Sequence, residues 1–549
     1  MGEKNNITVS CVNGNFTGRI KNSVASFLGI PFAKPPVGEL RWKNPVPVEE
    51  SEDTFEAFDY APSPLQSYLE SERASGREQS EDCLYLNIWA NENTMSEKKP
   101  VMVFIHGGSY GWGGTGDPLY DGQNFIQAHP DVVLVTIAYR VGFMGFLDLS
   151  IVPGGEEYKT SGNLGLLDQI CALRYIKENI AGFGGDPECV TVFGESAGGG
   201  SVSLLPLIPE ARGLFRRVIA ESGSVSLTYN KKECRPLTEK LLEITGADDM
   251  DDLLALSSGE LEELCEKLSD YLIFPERDGV VIPTDLYEAY RRGEASGVDM
   301  LIGTNADEMR YWIADIGSFR RYLFMCDYLY ENNMKRVTSS DRKRVEAFMR
   351  LQENTGRLAK EWNITELYNE LLFRLPAIRQ ADAHSQNGGK TYMYYWKYPS
   401  GIKRLGACHA VELAYVFNNP DEKIYAGNNI DLKLAAKTQQ MWVNFAKKGD
   451  PSVPESEPGA GDGIVWERYD SIDRATMILD KEISQESDIK HLQRELLDPL
   501  LDYGFNGSYN DLTPKVPVVG KAVGITIAVF GIAAGLGFVT YNLIKNKEK

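Results

Sequence analysis

Five short runs of apolar and β-branched residues stop abruptly at Gly, Ser or a polar residue: VMVFIHGG (101–108), VVLVTIAYR (132–140), CVTVFGES (189–196), RRVIAESG (216–223) and MLIGTNADE (300–308). Helical patterns such as LLDQICALRYIKENI (166–180) and LTEKLLEITG (237–246) stand between some of them. Strands alternating with helices constrain the chain to an α/β architecture, a mostly parallel central sheet flanked by helices, with its chemistry at the strands' C-terminal ends. Residues 325–385 depart from this rhythm. They are rich in Lys, Arg, Glu, Leu and Met at helical spacing and predict a helical insert.

Composition supports a large globular body: 549 residues, 43% hydrophobic, with 8 Trp, 27 Tyr and 22 Phe to build a core. The formal charge of −21 repels a phosphate backbone, so nucleic acid is excluded as a partner. Eight cysteines without a C-x-x-C or Cys/His cluster give neither a disulfide scaffold nor a metal site. No metal and no organic cofactor is expected.

Within the third run, TVFGESAGGG places Gly-Glu-Ser-Ala-Gly between a strand and a helix start. That strand–turn–helix context is what a nucleophile elbow requires, because small residues at Gly194 and Gly198 permit a sharp turn that exposes Ser196. The following helix N-terminus leaves N–H groups free, so the amide of Ala197 can point at a developing oxyanion. Serine is a weak nucleophile until a base takes its proton. In hydrolases built on such an elbow the order is Ser, acid, His, which leaves His384, His409 and His491 of the five histidines. His409 is preferred: GACHAVELAYVF reads as a loop entering a helix, whereas His384 and His491 read as surface positions. The acid should follow a strand between Ser196 and His409, and MLIGTNADE offers Asp307 or Glu308. VMVFIHGGSYGWGG supplies the other half of the oxyanion hole through the amides of Gly108 and Ser109, with His106 shaping the loop.

The C-terminus carries 23 uncharged residues, 522–544, between Lys515 and Lys521 on one side and Lys545, Lys547 and Lys549 on the other. At about 1.5 Å per residue a helix of that length crosses a bilayer, so a transmembrane helix is expected there. The expected organisation is a catalytic domain over 1–503, a linker over 504–521, the span over 522–544 and a basic tail over 545–549. With no secretory signal at the N-terminus, this arrangement predicts membrane anchoring by a single C-terminal span and a cytoplasmic catalytic domain. Gly520/Gly524 and Gly531/Gly535 form two small-xxx-small pairs that allow self-association.

The segments FLGIPFAKPPVGELRWKNP, SEDCLYLNIW, HGGSYGWG, YRVGFMGFL, GNLGLLDQICALRYIKENIAGFGGDPECVTVFGESAGG, GTNADE, HAVELAYVF and WVNFAKKGDP resemble the type-B carboxylesterase/cholinesterase-like family of α/β-hydrolases. The likeness is greatest to the bacterial para-nitrobenzyl-esterase-like members and covers nearly all of residues 20–470. It implies the α/β-hydrolase fold and a serine carboxylic-ester hydrolase working through an acyl-enzyme on a small-molecule ester. Carried over by position, it makes Ser196 the nucleophile, Glu308 the acid, His409 the base, and Gly108, Ser109 and Ala197 the oxyanion donors. Met309 stands where the family usually has Gly after the acid. Secreted members pair the Cys of EDCLYLN with an earlier one; here Cys83 remains but Ser63 stands at the partner position, so that bridge cannot form. Residues 63–83 also lack the choline-stacking Trp of cholinesterases, which disfavours an acetylcholine-type substrate. The alternatives are a non-catalytic neuroligin-like adhesion protein, against which the complete Ser, Glu and His set argues, and an amidase or thioesterase on the same machinery.

Overall fold

Val101 to Ile105 are buried without exception, as are Val133 to Ile137 and Val190 to Glu195. Strands covered on both faces need this continuous apolar character, and each run becomes one. The computed structural model describes residues 6–67, 78–269, 271–315, 318–422, 424–456 and 463–505. Its strands are β1 (Asn6–Cys11), β2 (Asn13–Lys21), β3 (Val24–Pro31), β4 (Ser51–Glu56), β5 (Ser63–Pro64), β6 (Gln79–Ser80), β7 (Tyr85–Asn91), β8 (Lys99–Ile105), β9 (Val133–Ile137), β10 (Gly185–Glu195), β11 (Arg217–Glu221), β12 (Asp299–Asn305), β13 (Thr391–Trp396), β14 (Ala475–Leu479) and β15 (Ser484–Ser487). The main sheet runs β1-β2-β3-β7-β9-β8-β10-β11-β12-β13-β14-β15, with β4 beside β2. From β9 to β14 every neighbouring pair is parallel. On both flanks the strands of this path pair antiparallel, while β4 runs parallel to β2.

Strand β10 lies between β8 and β11, with Gly194 opposite Ile105 and Glu195 opposite Glu221. Three strand ends therefore meet where Ser196 begins. The helix Leu164–Asn179 packs on the sheet through a mostly buried sequence, and its Asp168 accepts from the guanidinium of Arg140, just past β9, at 2.7 and 2.9 Å. Residues 319–385 form the helices Phe319–Arg336, Ser339–Leu351 and Ala359–Asn369, one π-turn at Glu370–Arg374, and the helix Leu375–Ser385. All eight cysteines are free thiols, and burial raises that of Cys83 well above the usual range.

The C-terminal transmembrane helix is not supported, and the fold class is corrected accordingly to an α/β-hydrolase without it. Among the described residues no helix is long and apolar enough to cross a membrane. Residues 522–544, where the span was expected, lie outside the described residues, as does most of the linker and the whole basic tail. The expectation rested on apolar length and on a glycine density that membrane helices tolerate. Membrane anchoring, the localisation drawn from it and self-association through this run fall with it.

Candidate active site

Ser196 sits between β10 and the helix Ala197–Leu204 at φ 57° and ψ −119°. A side chain rarely adopts this backbone, and the surroundings enforce it: the Ser196 N–H donates to Glu221 O and the Ser196 carbonyl accepts from Gly200 N–H, both at 2.8 Å. The motif's glycines are dictated by contact. A Cβ on Gly198 would lie 2.0 Å from the carbonyl oxygen of Ile105, and one on Gly194 would lie 2.7 Å from the backbone of Gly198. Only hydrogen at those positions lets the helix start this close to β8.

His409 lies in the loop before the short helix Leu413–Val416, and its Nδ1 is 2.6 Å from Glu308 Oε2. Glu308 is completely buried just beyond β12, and its other oxygen accepts from Ser222 Oγ and from the Asn305 amide, each at 2.7 Å. A carboxylate so held fixes the imidazole with Nδ1 as donor and Nε2 turned toward the strand ends. Asp307, the alternative acid, faces elsewhere: it pairs with Arg310 at 2.9 Å and accepts from the Ala407 amide. Ser196 and His409 line one cleft together with Gly108, Ser109, Trp112, Tyr120, Glu195, Tyr311, Trp312 and Tyr425. Ser196 Oγ forms no hydrogen bond with His409 among the described residues; His409 Nε2 instead faces Glu195 Oε1 at 3.1 Å. Catalytic hydrogen bonds of this kind often tighten only when substrate binds.

The loop carrying Gly108 and Ser109 packs against the elbow, since a Cβ on Gly107 would lie 3.1 Å from that of Ser196. Among the described residues the amides of Gly108, Ser109 and Ala197 donate to no protein acceptor. His106 beneath them is buried, with Nδ1 2.8 Å from Gly107 O and its ring stacked on Tyr139 at 4.4 Å. Burial pushes its pKa down to about 4, so it stays neutral and shapes the loop. His384, expected at the surface, is buried with Nδ1 2.8 Å from Thr391 Oγ1, because β13 packs against its helix. His491 is exposed.

Several features escaped sequence reasoning. Trp312, Phe373 and Tyr311 surround the His409 ring at centroid distances of 5.8, 5.0 and 5.9 Å. Glu195, Glu221 and Glu412 form a buried set of carboxyls around the site. Burial, then the charge of Glu308, pushes Glu195 well above the usual carboxylate range. Burial and Glu412 do the same to Glu221, against the opposing hydrogen bond from Trp442. Glu412 is pushed up to about 8 by burial and by Glu195 and Glu308. Nothing in a sequence marks a glutamate as buried. The only signal lay in their positions: Glu195 and Glu412 stand one and three residues from a catalytic candidate, and Glu221 ends a strand.

Residues 3–496 match the carboxylesterase family. The chain is 36% identical over 511 residues to para-nitrobenzyl esterase of Bacillus subtilis, covering 88% of this chain and 97% of that protein. It is 32% identical to carboxylesterase 1E of Mus musculus, covering 81% and 84% respectively. Among solved structures, carboxylesterase EST55 of Geobacillus stearothermophilus superposes with a TM-score of 0.77 at 32% identity, covering 89% of this chain and 99% of that one. A thermophilic para-nitrobenzyl esterase gives 0.76 at 34% identity with the same coverage. A sharp turn at Ser196 leaving β10 of the parallel sheet, an imidazole–carboxylate pair and a match along nearly the whole chain agree: the chain belongs to the carboxylesterase family.

Proposed function

We propose that Ser196, His409 and Glu308 carry the ester hydrolysis of this serine carboxylic-ester hydrolase. The 2.6 Å contact between His409 Nδ1 and Glu308, on a ring that shares a cleft with Ser196, is the observation that supports it most. Ser196 Oγ attacks the ester carbonyl as His409 Nε2 takes its proton; the imidazolium formed is stabilised by Glu308. The tetrahedral oxyanion is held by the amides of Gly108, Ser109 and Ala197. Collapse expels the alcohol, which receives the proton from His409, and leaves an acyl group on Ser196. Water then repeats the sequence on the acyl-enzyme, with His409 again as base. The name of the Bacillus subtilis relative makes p-nitrobenzyl esters, together with p-nitrophenyl esters, the first substrates to offer. The same machinery acts on amides and thioesters, and nothing in the cleft favours them.

Ser196→Ala should lower kcat by about 10⁴-fold or more on a p-nitrophenyl ester while leaving the melting temperature close to that of the parent chain. Intact-mass spectrometry of the parent chain quenched during turnover should find one acyl group, absent in the variant. Full activity in Ser196→Ala sinks the assignment.

A further inference from the structure

The acid and the base reach each other from turns, not from strands. Glu308 opens the turn Glu308–Arg310 beyond β12, and His409 lies in the loop before the helix Leu413–Val416. Their 2.6 Å contact therefore depends on how firmly those two turns are joined. The backbone of His409 contributes little, since its N–H donates to Glu308 O only at 3.4 Å. Asn305 adds one tie, from Nδ2 to Cys408 O at 2.9 Å. Asp307 adds two. Its own N–H donates to Ala407 O, and the Ala407 N–H donates back to Asp307 Oδ2, both at 2.9 Å. The residue just before the acid thus takes both backbone groups of the residue two before the base.

The loop is shaped to permit this approach. Gly406 sits at φ 60°, and a Cβ there would lie 2.1 Å from Asp307 Oδ2, so only glycine brings the loop backbone onto the carboxylate. The other oxygen, Asp307 Oδ1, is 2.9 Å from Arg310 Nη2, and the pair is largely shielded from water, at 18% and 23% side-chain exposure. The same Nη2 lies 3.7 Å from Glu366 Oε1 on the helix Ala359–Asn369, and the guanidinium covers the Trp362 ring at 4.8 Å. Arg310 is held in its turn, because its N–H donates to Asp307 O at 2.8 Å.

We infer that Asp307 is a positioning residue that clamps the His409 loop to the Glu308 turn, one carboxylate oxygen holding Ala407 and the other held by Arg310. This rests on the assignment of Glu308 and His409 above. A carboxylate suits both tasks, because both of its oxygens accept and its charge strengthens the bond from each donor. An amide can perform only one of them: with its oxygen on the Ala407 N–H, its NH2 faces the Arg310 donors. Asp307 is not among the residues lining the cleft. It acts on the rate only through the distance and angle at which Glu308 meets the imidazole, and a misplacement of about 1 Å between catalytic groups costs on the order of 10²-fold.

Stopped-flow release of p-nitrophenol from p-nitrophenyl acetate, with the whole chain, separates the acylation rate constant from the substrate dissociation constant. Asp307→Ala should acylate at least about tenfold more slowly, with a dissociation constant within about twofold of the parent's, because binding does not use the clamp. Asp307→Asn keeps an acceptor for Ala407 and loses the ion pair, so it should fall between the two, about threefold slower than the parent. A general loss of folded chain gives a different signature, since an unfolded fraction lowers the burst amplitude and leaves the rate constant alone. Acylation by Asp307→Ala within about threefold of the parent, a loss confined to the dissociation constant or the burst amplitude, or an Asp307→Asn as slow as Asp307→Ala overturns the proposal. If Asp307→Ala does not fold, Asp307→Asn decides alone, and parental acylation in it overturns the clamp. Ser196→Ala measured alongside keeps the two readings apart: its full activity sinks the triad, whereas the Asp307 variants report on the clamp.

Discussion

Glu412 shows how one side chain of the site ties stability to pH. It is fully buried, accepts from Asn305 Nδ2 at 2.5 Å, and its other oxygen has no partner among the described residues. Its folded pKa of about 8 lies above the usual value for a glutamate, so the folded chain holds a proton there that the unfolded chain releases. The stability this contributes is complete below the unfolded value of about 4.3 and is lost as pH rises through about 8. Glu412→Gln keeps an acceptor for Asn305 but cannot ionise. Urea unfolding at pH 5 and pH 8 should therefore find that the parent loses a few kcal/mol more across this interval than the variant does, in line with the linkage of proton binding to folding. Equal losses would mean that Glu412 is ionised in the folded chain or relaxes toward water.

The helices over residues 319–385 reach the site through Asn369 and Phe373. Asn369, the last residue of the helix Ala359–Asn369, accepts from the Met309 amide at 2.8 Å and donates to Ala306 O at 3.1 Å, clasping the turn that carries Glu308. The π-turn that follows is clamped by the buried Arg374–Glu370 pair and puts Phe373 against His409. Asn369→Ala strands a buried amide, at a cost of about 1–3 kcal/mol. It should also lower kcat by about tenfold, because the acid's turn loses its outer support. Chemical denaturation and steady-state kinetics read the two effects, and an unchanged kcat would show that Ser222 and Asn305 alone hold Glu308. This element also marks where the sequence stops being legible. Strands β8 to β12 were readable because burial on both faces demands unbroken apolar runs, and Ser196 because its turn admits only small neighbours. Asp307 and Glu308 could not be told apart by their own chemistry; it is the turn geometry, with Asp307 drawn to Arg310, that separates them. Strands β1 to β4, outside the parallel centre, carry polar residues on exposed faces, and β13 reads TYMYYW, so neither has the apolar signature that identified the centre. Glu195, Glu221 and Glu412 were invisible for a plainer reason: a glutamate's burial is set by strands brought together from across the chain.

At the scale of the whole molecule, 78 acidic against 57 basic residues leave a net charge of −21, and four buried acids, Glu195, Glu221, Glu308 and Glu412, cluster behind the reacting atoms. A field of one sign changes the rate at which charged substrates arrive without changing the chemistry. Three esters with the same acyl group and alcohols that are cationic, neutral and anionic separate these contributions. As salt rises from about 10 mM to about 500 mM the screening length falls from about 30 Å to about 4 Å. Over that range kcat/KM should fall for the cationic ester, rise for the anionic one by a similar factor of a few, and stay level for the neutral one. The cleft's own preference among the three survives at high salt, because contacts within it are shorter than the screening length. Equal salt responses for all three esters would confine the acidity of the chain to solubility, and the slope difference between the charged esters measures how much of that charge the cleft feels.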